Sequence, residues 1–166
     1  RVDLDELIGE VAGDLRLSGP GVGLLTATGI DGWERACDGE VTVDATVGLS
    51  KPTWAASADG GFTEWRPGTI NVVAQLPLPM TDAALVGAVI TITEAKAQAL
   101  RAAGVPGTGT ASDAVVVVAP VGPAGGGAAV GRFAGPRSEI GAPLARATCE
   151  AVGRRTGSDP VGVVQL

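Results

Sequence analysis

The sequence predicts an α+β layered domain, with a mixed β-sheet and three main helices. Three observations lead there. Apolar residues recur at helical spacing near the N-terminus and in mid-chain, with short Val-rich segments between and after them. The segments run helix, three strands, helix, one or two strands, helix, without the regular βαβ alternation of a doubly wound sheet. Finally, 166 residues with 45% hydrophobic and 18% charged side chains suit a single domain, residues 1–166, that buries a real core.

The elements follow in order. Leu4, Leu7, Ile8, Val11 and Leu15 share one face of a first helix, with acids opposite, and Ser18-Gly19-Pro20-Gly21 ends it. Residues 22–27 read as a strand running into a turn at Thr26-Ala27-Thr28-Gly29. Val41, Val43, Ala45 and Val47 alternate with polar residues, as on a half-buried strand. Residues 50–67, rich in Gly, Ser and Pro and carrying Trp54, Phe62 and Trp65, form a long surface excursion. Residues 69–76 are a third strand. Thr81 caps a second helix, Asp82 suits its positive end, and the helix stops at Ala103 before Gly104 and Pro106. Residues 113–119, apolar on both faces, predict a central strand. A Gly-rich loop at 120–127, a short strand at 128–133 and a last helix at 138–154 complete the chain.

Composition excludes whole classes of chemistry. The net charge of −6, with ten acids against three Arg in residues 1–50, argues against a nucleic-acid partner. There is no His, so neither a Ser-His-Asp nor a Cys-His nucleophile pair nor His-ligated zinc can be built from this chain alone. Cys37 and Cys149 stand 112 positions apart, which leaves no CxxC site and predicts two free thiols in a reducing, cytoplasmic setting. Tyr is absent too. No apolar run approaches the roughly 18–20 residues of a membrane helix, and no signal peptide is evident. The chain opens at Arg1 without Met, so the gene product is expected to begin upstream. Any catalysis rests on carboxylates, Lys, Asn, hydroxyls and backbone amides.

Three segments are more polar than their surroundings explain: Gly68-Thr69-Ile70-Asn71, Thr91-Ile92-Thr93-Glu94-Ala95-Lys96 and Thr108-Gly109-Thr110-Ala111-Ser112-Asp113. On the second helix Glu94 and Lys96 sit about 200° apart and cannot pair with each other. Glu94 is either a solvated residue or a reactive carboxylate. Lys96 borders an apolar stripe, so it snorkels, or meets a carboxylate at the sheet edge, or serves as a base or oxyanion partner. The hydroxyl-rich turn holds an anion or oxyanion, or lets Asp113 act as a base, or simply has Asp113 satisfy its own amides. It lacks the Gly-Lys-Ser/Thr pattern of a phosphate loop. Asn71 is a turn residue or polarises a carbonyl. The Trp residues offer flat faces to a planar ligand, or anchor loops and core.

Taken together and in order, Val22-Gly-Leu-Leu-Thr-Ala27, Thr46-Val-Gly-Leu-Ser50, Gly68-Thr-Ile-Asn71, residues 77–84, 91–100 and 108–118 resemble the adenosylcobinamide amidohydrolase family over roughly residues 20–155. The resemblance implies an enzyme of corrinoid salvage. It would hydrolyse the amide between the aminopropanol arm and the corrin ring of adenosylcobinamide, giving adenosylcobyric acid. It implies catalytic roles among Glu94, Asp113, Asn71 and Lys96, with Thr26, Thr69, Thr93, Thr108, Thr110 and Ser112 contacting substrate. A Thr nucleophile at Thr69 or Thr93 is a variant. The partner would be the small corrinoid itself, with no resident cofactor or metal, no nucleic acid and no membrane; homo-oligomerisation stays open. Where family members tend to carry a Gly-x-His-Thr-like stretch before the last helix, this chain has Gly135-Pro136-Arg137-Ser138. A Gly-Gly turn usual before the first strand is not in this sequence. A corrinoid-binding protein without hydrolysis, or another amide hydrolase on the same scaffold, are the rival readings.

Overall fold

The alternation at residues 41–47 builds the middle of a four-stranded sheet. In the computed structural model, which describes residues 3–26, 28–58, 68–122 and 130–156, the elements are α1 (Leu4–Asp14), β1 (Glu34–Asp38), β2 (Val41–Gly48), β3 (Thr69–Gln75), α2 (Asp82–Ala102), β4 (Ala114–Val118) and α3 (Gly141–Arg155). The sheet order is β1-β2-β3-β4. The first three strands form an antiparallel meander, and β4 returns through α2 to lie parallel to β3. The sheet is therefore mixed, and three helices accompany it, as expected of an α+β layered domain.

Strand parity decides which residues meet the helices. Ala36, Val43 and Ala74 align across β1, β2 and β3, and Val47 aligns with Ile70; all are buried in the core. That face is covered by α3, over β1 and β2, and by α2, over β4. The two helices pack closely on each other, and their buried faces are largely small: Ala88, Ala95 and Ala99 on one, Ala147 and Ala151 on the other. Ile70, Ile92, Leu100 and Leu144 are the largest fully buried side chains. Gly141 opens α3 where a Cβ would lie 1.9 Å from the Gly135 carbonyl oxygen, so only glycine fits there. Thr81 caps α2 by accepting from Ala84 N at 3.2 Å.

The structure corrects several expectations. Residues 22–26 form no strand. The segment crosses the sheet face turned away from α2 and α3, held by a side chain, with Asn71 Nδ2 donating to the Leu25 carbonyl at 3.1 Å. β1 is a strand that the sequence reading did not anticipate. β4 lies at the edge of the sheet rather than its centre. In place of a strand at 128–133 there is one parallel bridge between Met80 and Gly131, and residues 128 and 129 lie outside the described residues, as do Phe62 and Trp65. The apolar face of α1 exists but none of its residues is buried; Leu4, Val11 and Leu15 stay exposed. α2 is, by length and composition, apolar enough to cross a membrane, which the run-length reading overlooked because Glu94 and Lys96 interrupt it. In this fold its apolar face packs against α3 and β4.

Cys37 and Cys149 are both free, Cys37 exposed on β1 and Cys149 half-buried on α3. Burial pushes the Cys149 thiol above its ordinary value. Its folded value exceeds its unfolded one, so its contribution to stability is complete below the unfolded value and is lost as pH rises through the folded one. Alkylation with iodoacetamide near pH 8 is expected to label Cys37 well before Cys149, with both labelled together only after denaturation. Equal native rates, followed by peptide mass, would contradict this placement.

Candidate functional site

The N-terminal ends of the parallel strands β3 and β4 meet the middle of α2, and one acidic residue joins all three. Asp113, immediately before β4, accepts a hydrogen bond and ion pair from Lys96 Nζ of α2. It also accepts from Ile70 N of β3 at 3.0 Å and from Thr110 N at 3.1 Å. The Thr110 hydroxyl donates to Gly68 O at 2.7 Å and also lies within reach of Asp113 Oδ1; its one proton serves one of them at a time. Both charged side chains are nearly buried, 9% exposed for Lys96 and 13% for Asp113. Lys96 thus meets a carboxylate at the sheet edge. Asp113 satisfies its own turn, and also does more: it ties that turn to a helix and a strand.

Two further contacts fix the turn. Thr53 and Gly109 exchange backbone contact across an antiparallel bridge, with Thr53 N donating to Gly109 O at 2.8 Å and Thr108 N to Thr53 O at 3.0 Å. Ala55 N donates to the Thr108 hydroxyl oxygen at 3.1 Å. The excursion after β2 is thereby sewn to the loop before β4. Together these elements enclose a cleft of about 490 Å³, lined by Thr53, Thr93, Glu94, Lys96, Thr108, Thr110 and Asp113 among others. A cleft of that size takes a molecule or arm of ordinary ligand dimensions.

Six of the ten residues singled out from sequence come together here: Glu94, Lys96, Asp113, Thr93, Thr108 and Thr110. The Glu94 side chain is exposed and makes no hydrogen bond or ion pair among the described residues. The Thr93 hydroxyl donates back to Val89 O at 2.8 Å, within its own helix. Thr69 and Ser112 bond to each other at 2.8 Å, and Ser112 also reaches Gly68 O at 3.1 Å. They brace the strand ends and do not line the cleft. Asn71 and Thr26 do not join this site. β3 alternates, so with Ile70 and Val72 turned to the helices, Asn71 faces the opposite side and lines another cleft with Thr26. Thr53 is a contributor that the sequence reading did not single out, and Gly109 contributes by its lack of a side chain, beyond its place in the polar turn. Arg137, in the stretch before the last helix, is exposed and lines neither cleft. Ser138 beside it accepts from Gly141 N at 2.9 Å and starts α3.

The sequence profile for adenosylcobinamide amidohydrolase matches residues 1–158. The chain belongs to that family. Among curated relatives, the adenosylcobinamide amidohydrolase of Halobacterium salinarum is 44% identical over 100 residues, covering 57% of this chain and 42% of that protein. The one from Methanosarcina mazei is 34% identical over 115 residues, covering 68% of this chain and 52% of its own length. The chain spans about half the length of the curated relatives it matches. No solved structure matches it. The family match takes in every element that builds the cleft, from β2 through β4.

Gly109 offers a direct probe of this geometry. A Cβ there would stand 2.2 Å from Asp113 Oδ2 and 2.6 Å from Lys96 Nζ, wedging the ion pair apart. Gly109→Ala is expected to cost about 1–3 kcal/mol in denaturant unfolding, as overpacking does. An unchanged midpoint would mean that the pair is not held against this turn.

Proposed function

We propose that this protein is an amidohydrolase that cleaves the aminopropanol amide of adenosylcobinamide, yielding adenosylcobyric acid and the free amino alcohol, in the cleft between α2 and the turn at residues 108–113. Family membership supports the reaction class. The observation that carries the assignment of the site is a free carboxylate, Glu94, on the same cleft wall as a buried ammonium, Lys96, with threonine hydroxyls opposite.

The chemistry divides among these groups by what each already binds. Asp113 has its oxygens engaged by Lys96, Ile70 N and Thr110 N, so it positions rather than abstracts a proton. Glu94 is the group left to take a proton from water as it attacks the amide carbon. Lys96 uses one N–H on Asp113 and has two more, and the Thr108 hydroxyl, which accepts from Ala55 N, keeps its own proton to donate. These donors suit the oxyanion of the tetrahedral intermediate. Glu94 then returns the proton to the departing amine as the C–N bond breaks. Neither Thr69 nor Thr93 has a base beside a free hydroxyl, which argues for attack by water over a threonyl ester. A corrinoid exceeds what a cleft of 490 Å³ encloses, so the aminopropanol arm enters while the ring stays outside.

Incubation with adenosylcobinamide, followed by mass, is expected to show adenosylcobyric acid and released aminopropanol, with no His required. Glu94→Gln should lower kcat at least roughly tenfold at unchanged unfolding midpoint, a barrier loss of about 1.4 kcal/mol or more. Asp113→Asn should lower turnover and stability together, because Asn cannot answer the Lys96 charge. No acid product, with corrinoid retained through gel filtration, would instead make this a binding protein; wild-type turnover in Glu94→Gln would remove Glu94 from the mechanism.

A further inference from the structure

A second cleft, of about 360 Å³, lies on the sheet face turned away from α2 and α3, under the segment that crosses Asn71. We propose that it binds a neutral primary carboxamide carried on an apolar body. Asn71 is only 6% exposed and lines this cleft. Its Nδ2 donates to Leu25 O at 3.1 Å, which settles the orientation of the side chain. Its Oδ1 is shielded and has no partner among the described residues. Thr46 stands directly across from Asn71 in the β2–β3 register, lines the same cleft, and has an equally shielded hydroxyl with no partner among the described residues. Two shielded polar atoms without partners among the described residues, on paired residues that line one cleft, are rare in folded proteins, and a ligand with matching groups would satisfy both.

The match is specific. Asn71 Oδ1 only accepts, so it needs an N–H or O–H; the Thr46 hydroxyl donates or accepts. A carboxamide supplies both halves, its N–H to Asn71 Oδ1 and its carbonyl to the Thr46 O–H. A carboxylate would set oxygen against oxygen. The charged groups in the lining, Arg35 and Asp44, are bound to each other through two bonds of 2.7 and 2.8 Å, so they present no spare charge to a ligand. Apart from Thr26, whose hydroxyl oxygen accepts from Thr28 N at 3.1 Å, the rest of the wall is apolar and includes Leu24, Ile30 and Trp33, whose ring also carries the Arg35 guanidinium 5.3 Å from its centre.

The test is titration of the full chain with benzamide, benzoate and toluene, observed by ¹⁵N NMR at the Asn71 side-chain amide and the Trp33 indole. Benzamide is expected to shift both saturably and to bind more tightly than either analogue. Thr46→Val, a change of hydroxyl for methyl, should weaken benzamide at least about fivefold and leave toluene unaffected, while Thr46→Ser restores benzamide binding. Benzoate or toluene binding as tightly as benzamide, no saturable shift, or full benzamide affinity in Thr46→Val would each overturn the proposal. Competition identifies the source of the amide. Displacement of benzamide by adenosylcobinamide, an arm that rests on the function proposed above, would assign the site to carboxamides on the corrin rim, and absence of displacement would assign it to a separate small molecule.

Discussion

The ion pair between Lys96 and Asp113 is the contact on which the functional half of this fold depends. A charge taken out of water is costly unless it is paired and hydrogen-bonded. Here one carboxylate answers the ammonium of α2, the Ile70 amide of β3 and the amide of its own turn. Three elements distant in sequence must therefore arrive together for any of them to be satisfied. The turn then holds Thr108 and Thr110 against the wall of α2 that presents Glu94, and through Gly109 it captures the excursion after β2. Gly109 follows from the same constraint, since the pair occupies the volume that a side chain would need.

Sheet parity supplies the second constraint. Residues along β3 alternate between the helix-covered core and the opposite face, so Gly68-Thr69-Ile70-Asn71 cannot deliver all its polar groups to one place. Ile70 contributes its amide to the ion-pair cleft, Thr69 braces the strand end, and Asn71 serves the other face. Two clefts of different character result. One has a free carboxylate, a cation and hydroxyls; the other is largely apolar, with its charges paired and two unpartnered polar atoms shielded in its wall.

Much of this was legible from the residues, and the failures have identifiable causes. The clean period of two at residues 41–47 and the Thr81 cap followed by Gly104, which adopts φ +70°, marked β2 and both ends of α2 correctly. Helical geometry kept Glu94 from Lys96, and of the roles open to Lys96 the structure shows the carboxylate at the sheet edge. β1 was missed because its sequence, ERACD, is mostly polar; the signal was the two-residue turn Gly39-Glu40, with Gly39 at φ +58°. The Val run of β4 reads as burial on both faces, but the strand is only half-buried, with Val118 exposed, because it forms the sheet edge, and composition does not report rank in the strand order. Asn71 was placed with the wrong partners, although the alternation of Ile70 and Val72 could have separated it. The apolar face of α1 was real as a pattern, but a pattern does not say what covers it.

The coupling between Lys96 and Asp113 organises the cleft, and a double-mutant cycle on stability measures it. Lys96→Met and Asp113→Leu, each alone, should cost about 3–5 kcal/mol by stranding the other charge. The double variant, having no charge to strand, should recover a large part of that loss, with a coupling of at least about 2 kcal/mol. Additive losses in the double variant would mean that the two side chains act independently, and the cleft would then need another organiser.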